Sequence, residues 1–174
     1  MTKEDLKKNI YKTSHLTGKF LLRSGQYSSE YFDKYRFESN PTLLQAIAKE
    51  LKHLIPPETK ILAGLEMGAI PIATALAIEL NLPCVFVRKH SKKYGTNKVV
   101  EGIEVKGKNV CIIEDIITTG GQVLLSLDDL RNAGATVNTV VCVINRSPFS
   151  IQKFIDKNLQ IKNLFEKKDF DALA

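Results

Sequence analysis

Residues 110 to 121 read VCIIEDIITTGG. Four apolar residues lead straight into two adjacent carboxylates, Glu114 and Asp115. Ile116 and Ile117 follow, then Thr118, Thr119, Gly120 and Gly121. The apolar run reads as a buried strand that delivers the acidic pair to its carboxyl end, where a ligand can reach it. Neighbouring strand residues point to opposite faces, so the two carboxylates need not share one task. Each can accept hydrogen bonds from ligand hydroxyls or help hold a hard cation such as Mg²⁺. The glycines let the backbone turn tightly and present successive N–H groups, and the threonines add hydroxyls. A helix starting here aims the positive end of its dipole into the same loop, and that combination cradles a phosphate. An acidic pair beside an anion cradle suits a ligand with both sugar hydroxyls and a phosphate, a ribose 5-phosphate. An acidic strand end before a Gly-rich turn is common; the apolar lead-in and the following helix set this one apart.

Such residues need a rigid frame. Apolar periodicity predicts an amphipathic helix over 3–15, with Leu6, Ile10 and Tyr11 on one side. FLLRSGQYSSEYFD holds two short apolar pieces around a Ser-Gly break. Asn40-Pro41-Thr42 opens a helix to about His53, with Leu43, Leu44, Ile47, Ala48 and Leu51 as its apolar face. ILAG, CVFV, NVCIIE and TVNTVVCVI read as strands. Helices are expected over 69–80, from about Gly121 to Asn132 before Gly134, and in PFSIQKFIDK; the tail NLFEKKDFDALA reads as a short strand or helix. Strands that alternate with helices and consist of continuous apolar runs imply an α/β fold, a mainly parallel central sheet flanked by helices. Ligands of open sheets sit beyond the carboxyl ends of the strands. The segments to examine are therefore LEMGA, RKHSKKYG, EDIITTGG and NRSP.

At 174 residues the chain is expected to form one domain, residues 1–174. A net charge of +6 fits a solvated basic surface or a site for a small anion. No nucleic-acid module is recognisable, so no nucleic-acid partner is expected. Cys84, Cys111 and Cys142 are isolated within apolar runs, and their odd number argues against a disulfide framework. The start MTKEDLKKNI is charged from residue 3, and no apolar run reaches transmembrane length. Reduced thiols without a membrane segment point to the cytoplasm and to no membrane partner. His15, His53 and His90 have no metal-ligand spacing, and His15 and His53 read as helix-surface residues.

VCIIEDIITTGGQ resembles the phosphoribosyl-pyrophosphate (PRPP) motif of the type I phosphoribosyltransferases: an apolar strand, two acids, two apolar residues, Thr, a small residue and Gly. Glu114 stands where Asp is also frequent. GKFLLRSGQYSSEYFD is similar to the Phe-x-Leu-x-Ser-Gly-x-x-Ser-x-x-Tyr segment of orotate phosphoribosyltransferases. RKHSKKYG resembles their mobile catalytic loop, GLEMGAIPIA their pyrophosphate-side loop, and INR the strand end that bears an orotate-binding Arg. These matches run in order over about residues 17–148.

The resemblance implies the type I fold, with residues 1–40 contributing a small hood over the base. It implies transfer of the 5-phosphoribosyl group from PRPP to orotate in pyrimidine biosynthesis, with Mg²⁺ held mainly through PRPP and no side chain assigned as its direct ligand. Lys92, Glu114 and Asp115 take the catalytic positions, with Lys93 adjacent to Lys92. PRPP would be held by Arg23, Arg88, Lys89, Lys92, Tyr94, Glu114, Asp115 and the loop Ile116, Ile117, Thr118, Thr119, Gly120, Gly121 and Gln122. Orotate would meet Thr118 and Arg146, with Tyr31 and Phe32 either walling the ring or packing in the core. In this family loop 88–98 reaches the neighbouring subunit's site, which implies a homodimer. Three positions depart from the usual pattern: Arg23 where Lys is common, Tyr94 where His is common, and Met67 where close relatives place a pyrophosphate-binding Lys. A purine-base phosphoribosyltransferase would share the PRPP motif, but Arg146 and the Arg-Ser-Gly segment favour an anionic pyrimidine. A PRPP-binding regulator would have no need of the Arg-Lys-x-x-Lys loop.

Overall fold

A computed structural model describes residues 1–22, 25–90, 98–147 and 151–173. Helix α1 (Lys3–Ser14) starts at a capping box: Thr2 accepts from the Asp5 backbone N–H at 3.1 Å and Asp5 accepts back from Thr2. Its Leu6 and Ile10 are buried. Strands β1 (His15–Leu21) and β2 (Tyr27–Phe32) form a separate antiparallel hairpin, with a register shift between Thr17 and Phe20. The five-residue helix α2 (Lys34–Glu38) follows, capped by Asp33. Helix α3 (Pro41–Leu51) has Pro at its first turn and Asn40 as its cap, accepting from Thr42 and Leu43 at 3.1 Å each.

The remaining elements alternate. They are β3 (Ile61–Leu65), α4 (Ala69–Leu80), β4 (Cys84–Val87), β5 (Val100–Glu101), β6 (Asn109–Ile117), α5 (Gly121–Asn132), β7 (Thr136–Asn145), α6 (Ile151–Asp156), β8 (Gln160–Glu166) and α7 (Lys167–Asp171). Among the described residues the main sheet runs β5-β4-β3-β6-β7-β8, parallel except for the edge strand β5. From β3 the chain steps outward to β4, then returns to the other side of β3 as β6. The order therefore reverses between β3 and β6, where open α/β sheets leave a crevice for ligands.

Strand residues alternate between two apolar layers. Cys111, Ile113, Val141 and Val143 face α1, α3 and α4. Val110, Ile112, Val140 and Cys142 face α5 and Phe154 of α6.

Two features differ from the sequence expectation. β6 does not end at the acidic pair: Glu114, Ile116 and Ile117 continue to pair with Cys142, Ile144 and Asn145 of β7, whereas pairing with β3 ends at Gly64 and Ile113. The acids thus lie inside a strand whose β3 side has already opened. The tail, expected as a short strand or helix, holds both, the end of edge strand β8 and then α7. His15 is the first residue of β1, not a helix-surface residue. Its ring stacks on Tyr11 at 4.6 Å, and Nε2 lies 3.4 Å from Glu30.

Candidate active site

The acidic pair splits as strand alternation requires. Asp115 continues the Cys111–Ile113 side of β6 and is fully buried; Glu114 lies on the opposite side and is half-buried. Asp115 Oδ1 accepts the Ile116 N–H, and Oδ2 accepts the Lys34 ammonium at 2.5 Å. The Asp115 N–H donates to Glu114 Oε1 at 3.2 Å. A third carboxyl, Glu38, is 4% exposed, and neither of its oxygens receives a hydrogen bond among the described residues. Gly68, in the loop after β3, closes the group. A Cβ there would overlap Asp115 Oδ2 and stand 2.9 Å from Glu38 Oε1.

Burial governs the charge state of this cluster. It pushes the Glu38 carboxyl up to about 8, with help from the Asp115 charge, so Glu38 is neutral near pH 7 and can donate toward Asp115. Burial, then the Asp115 charge, also raises Glu114 well above the usual carboxylate range. Asp115 goes the other way. Burial alone would raise it, but a hydrogen bond from Glu114 and the charge of Lys34 outweigh that and hold it low. Lys34 is likewise pulled down by burial and raised more strongly by Asp115. The resting cluster therefore holds the Asp115 carboxylate and the Lys34 ammonium beside a neutral Glu38, with Glu114 shifted toward its protonated form.

The loop after β6 turns on a glycine into an uncapped helix start, a geometry that suits an anion. Gly120 caps α5 at φ 73°, a left-handed conformation that favours glycine. No side chain caps the helix and its first turn has no acid, so its N–H groups face the loop uncompensated. Thr118 and Thr119 are exposed beside them. Ile117 is buried in the α5-side core and Ile116 packs against the opposite layer, which leaves their backbones for the loop. Gln122 lies along the helix, donating to Ser126 at 3.4 Å.

Arg88 and Lys89 leave the end of β4. The Arg88 N–H donates to Val99, and the Lys89 N–H donates to Glu66 at 2.9 Å, which ties the basic segment to the loop bearing Met67 and Gly68. Met67 is exposed. Lys92, Lys93 and Tyr94, and Arg23 with Ser24, lie outside the described residues.

A cavity of about 390 Å³ opens under the hairpin, lined by Leu22, Tyr31, Phe32, Ile144, Arg146 and Phe170 among others. Tyr31 is exposed and stacks on Phe20 with centroids 5.5 Å apart, so it can wall the cavity. Phe32 meets Phe37 at 6.4 Å and Phe170 at 6.0 Å, so it serves core and cavity together. The Arg146 N–H donates to the Ile117 carbonyl at 2.8 Å, which places the cavity's guanidinium residue beside the loop that leads into α5.

Lys34 and Glu38 belong to this cluster yet are not apparent from the motifs, whereas Gly68 lies within GLEMGAIPIA. The signal was present in DKYRFE, where Lys34 and Glu38 stand four apart, the spacing of one helix face. Among the described residues no group of three or more His, Cys, Asp or Glu side chains is arranged to hold a metal ion. No helix among them is long and apolar enough to cross a membrane.

Comparison with known proteins agrees with this geometry. The phosphoribosyl transferase domain model matches residues 36–168. An orotate phosphoribosyltransferase of Nocardioides sp. is 48% identical over 157 residues, covering 90% of this chain and 88% of the relative. The crystal structure of Mycobacterium tuberculosis orotate phosphoribosyltransferase superposes with a TM-score of 0.84 at 25% identity, covering 97% of this chain and 98% of that one. That of Aeropyrum pernix orotate phosphoribosyltransferase gives a TM-score of 0.83 at 28% identity, covering 97% of each chain. With the acidic strand, the glycine-capped helix and the hairpin cavity already in place, these likenesses make the chain a member of the phosphoribosyltransferase family, within its orotate phosphoribosyltransferases.

Proposed function

We propose that the chain transfers the 5-phosphoribosyl group of PRPP to orotate, releasing pyrophosphate and giving orotidine 5′-monophosphate for pyrimidine biosynthesis. The observation that supports this reading most directly is the Arg146–Ile117 backbone bond, 2.8 Å long, which joins the hairpin cavity to the phosphate loop. Base and sugar phosphate would then lie side by side, as in-line attack at the anomeric carbon requires.

In this reading the 5′-phosphate sits on the N–H groups of Thr118 to Gly121 at the start of α5. Glu114 and Asp115 accept the ribose hydroxyls. Arg146 meets the orotate carboxylate or ring carbonyls, since a guanidinium forks onto a planar anion. Tyr31 walls the ring. As the glycosidic carbon gains positive charge, negative charge grows on the departing pyrophosphate. In this reading Arg88, Lys89 and Lys92 would be the cations that receive it, and closure of loop 88–98 would keep out water, the competing nucleophile. A magnesium ion would be held mainly through PRPP, with no side chain of this chain assigned as its direct ligand. Such an ion supplies charge neutralisation on the pyrophosphate. A homodimer in which loop 88–98 reaches the neighbouring subunit's site, and a cytoplasmic location, belong to the same proposal.

The test is PRPP-dependent loss of orotate absorbance with purified protein and Mg²⁺. Consumption of hypoxanthine or guanine with orotate untouched would establish a purine enzyme instead. PRPP binding with no base consumed would establish a regulator.

A further inference from the structure

We propose that Lys34 is a positioning residue of the sugar site, acting through Asp115: its ammonium holds the carboxylate in place and joins it to the hairpin that walls the base cavity. This rests on the reading of Glu114 and Asp115 as the ribose grip.

The geometry is specific. Asp115 is fully buried, yet one oxygen is held by the Ile116 N–H and the other by Lys34 at 2.5 Å. The groups facing it are Lys34 and Glu38 from α2, Glu114 from its own strand, and the Gly68 backbone. Lys34 is the cation in that set. Its side chain is a third exposed, and its ammonium lies 5.3 Å from the centre of the Tyr35 ring, so it stands between solvent and the buried acid. Glu38, with no donor to either oxygen, closes the inner side.

Without Lys34, three carboxyl groups share one pocket. A buried carboxylate without its cation either takes up a proton or swings toward water. A protonated Asp115 accepts more weakly from the ribose hydroxyls, and a carboxylate turned toward water leaves its place beside them and meets a polyanionic substrate without its cation. Chain connectivity adds a second effect. Lys34 lies two residues beyond Phe32, so the segment that walls the base cavity also locks the sugar grip. A hairpin displaced by base binding would pull on Asp115 directly.

The experiment measures PRPP affinity by calorimetry, and the steady-state constants with Mg²⁺, for Lys34→Met, Lys34→Arg and Asp115→Asn in the full chain. Lys34→Met should raise the PRPP dissociation constant by about tenfold or more, while the orotate Michaelis constant moves by less than about threefold. Lys34→Arg should return PRPP affinity to within about threefold of wild type, because it restores the charge at a similar reach. A residue that merely supported the fold would move both substrates together and would not be rescued by charge. Should Lys34→Met fail to fold, Lys34→Gln keeps a donor without the charge, and the same loss is expected of it. PRPP binding by Lys34→Met or Lys34→Gln as tight as wild type, or tighter, overturns the inference if Asp115→Asn is impaired. If Asp115→Asn binds PRPP normally, the reading of the acidic pair falls, and the inference with it.

Discussion

Glu38→Gln probes the buried carboxyl beside the sugar grip. Glu38 is 4% exposed, and burial, followed by the Asp115 charge, pushes it from an ordinary value of 4.5 to about 8. Between those values the folded chain keeps a proton that the unfolded chain has released. The unfolded state binds fewer protons, so stability is full below about pH 4.5 and is lost as pH rises toward 8, by up to about 1.4 kcal/mol per pH unit. Gln carries the same shape, offers an N–H to Asp115 and does not titrate. For a chain of this size a change of 1 kcal/mol moves Tm by about 2–4 °C. The wild-type Tm should therefore fall relative to that of Glu38→Gln by roughly 3–6 °C per pH unit at the steepest part of the window. Glu114 is raised in the same direction, so the wild-type curve alone mixes both groups; the difference between the two proteins isolates Glu38. Thermal unfolding followed by circular dichroism at half-unit steps from about pH 5 to 8.5 reads it out. A difference that stays flat would show that Glu38 is not held neutral. A difference of opposite sign would show that it is ionised and paired with Lys34, and the charge assignment given for the cluster would be wrong.

Gly68→Ala should cost about 1–3 kcal/mol, because the new Cβ overlaps the Asp115 carboxylate, and the PRPP Michaelis constant should rise with it. Unchanged melting and unchanged PRPP kinetics would mean that Asp115 yields freely. Lys92→Ala should lower kcat far more than it weakens PRPP binding, since its contact strengthens as the leaving group gains charge; equal losses would remove that role. Arg146→Ala should raise the Michaelis constant for orotate by more than that for PRPP, and an unmoved orotate constant would take Arg146 out of the base site. Asn40→Ala should cost about 1 kcal/mol by uncapping α3, read as a lower Tm with substrate constants unchanged.

What could be read in advance follows from how local each signal is. The strand, glycine turn and helix start around the acidic pair were legible because the apolar run and the Thr-Thr-Gly-Gly break are both written within VCIIEDIITTGG. Helix α3 was legible because Asn40 and Pro41 announce it and an apolar face follows. The run past Glu114 and Asp115 to Ile117 was not, because only the ladder to β7 shows that the strand continues after β3 has stopped. Edge strand β8 alternates weakly, since half of it faces water. Lys34 and Glu38 escaped notice for a different reason. Their helix is five residues long, too short for periodicity, and their partner lies 81 residues away, so no local pattern joins them to Asp115. His15 belongs with them: one residue separated a helix-surface reading from a strand start that meets Glu30.

The closeness of Gly68 to Asp115 also makes the two acids unequal under substitution. At position 114 the side chain is half-buried, so either length of acid finds room. At position 115 one further methylene would drive the carboxylate into the Gly68 backbone and away from Lys34. Exchanging the two residues would leave net charge, composition and hydropathy untouched, yet it would disassemble the pocket, because what distinguishes Glu-Asp from Asp-Glu here is a single carbon's worth of space on one side of one strand.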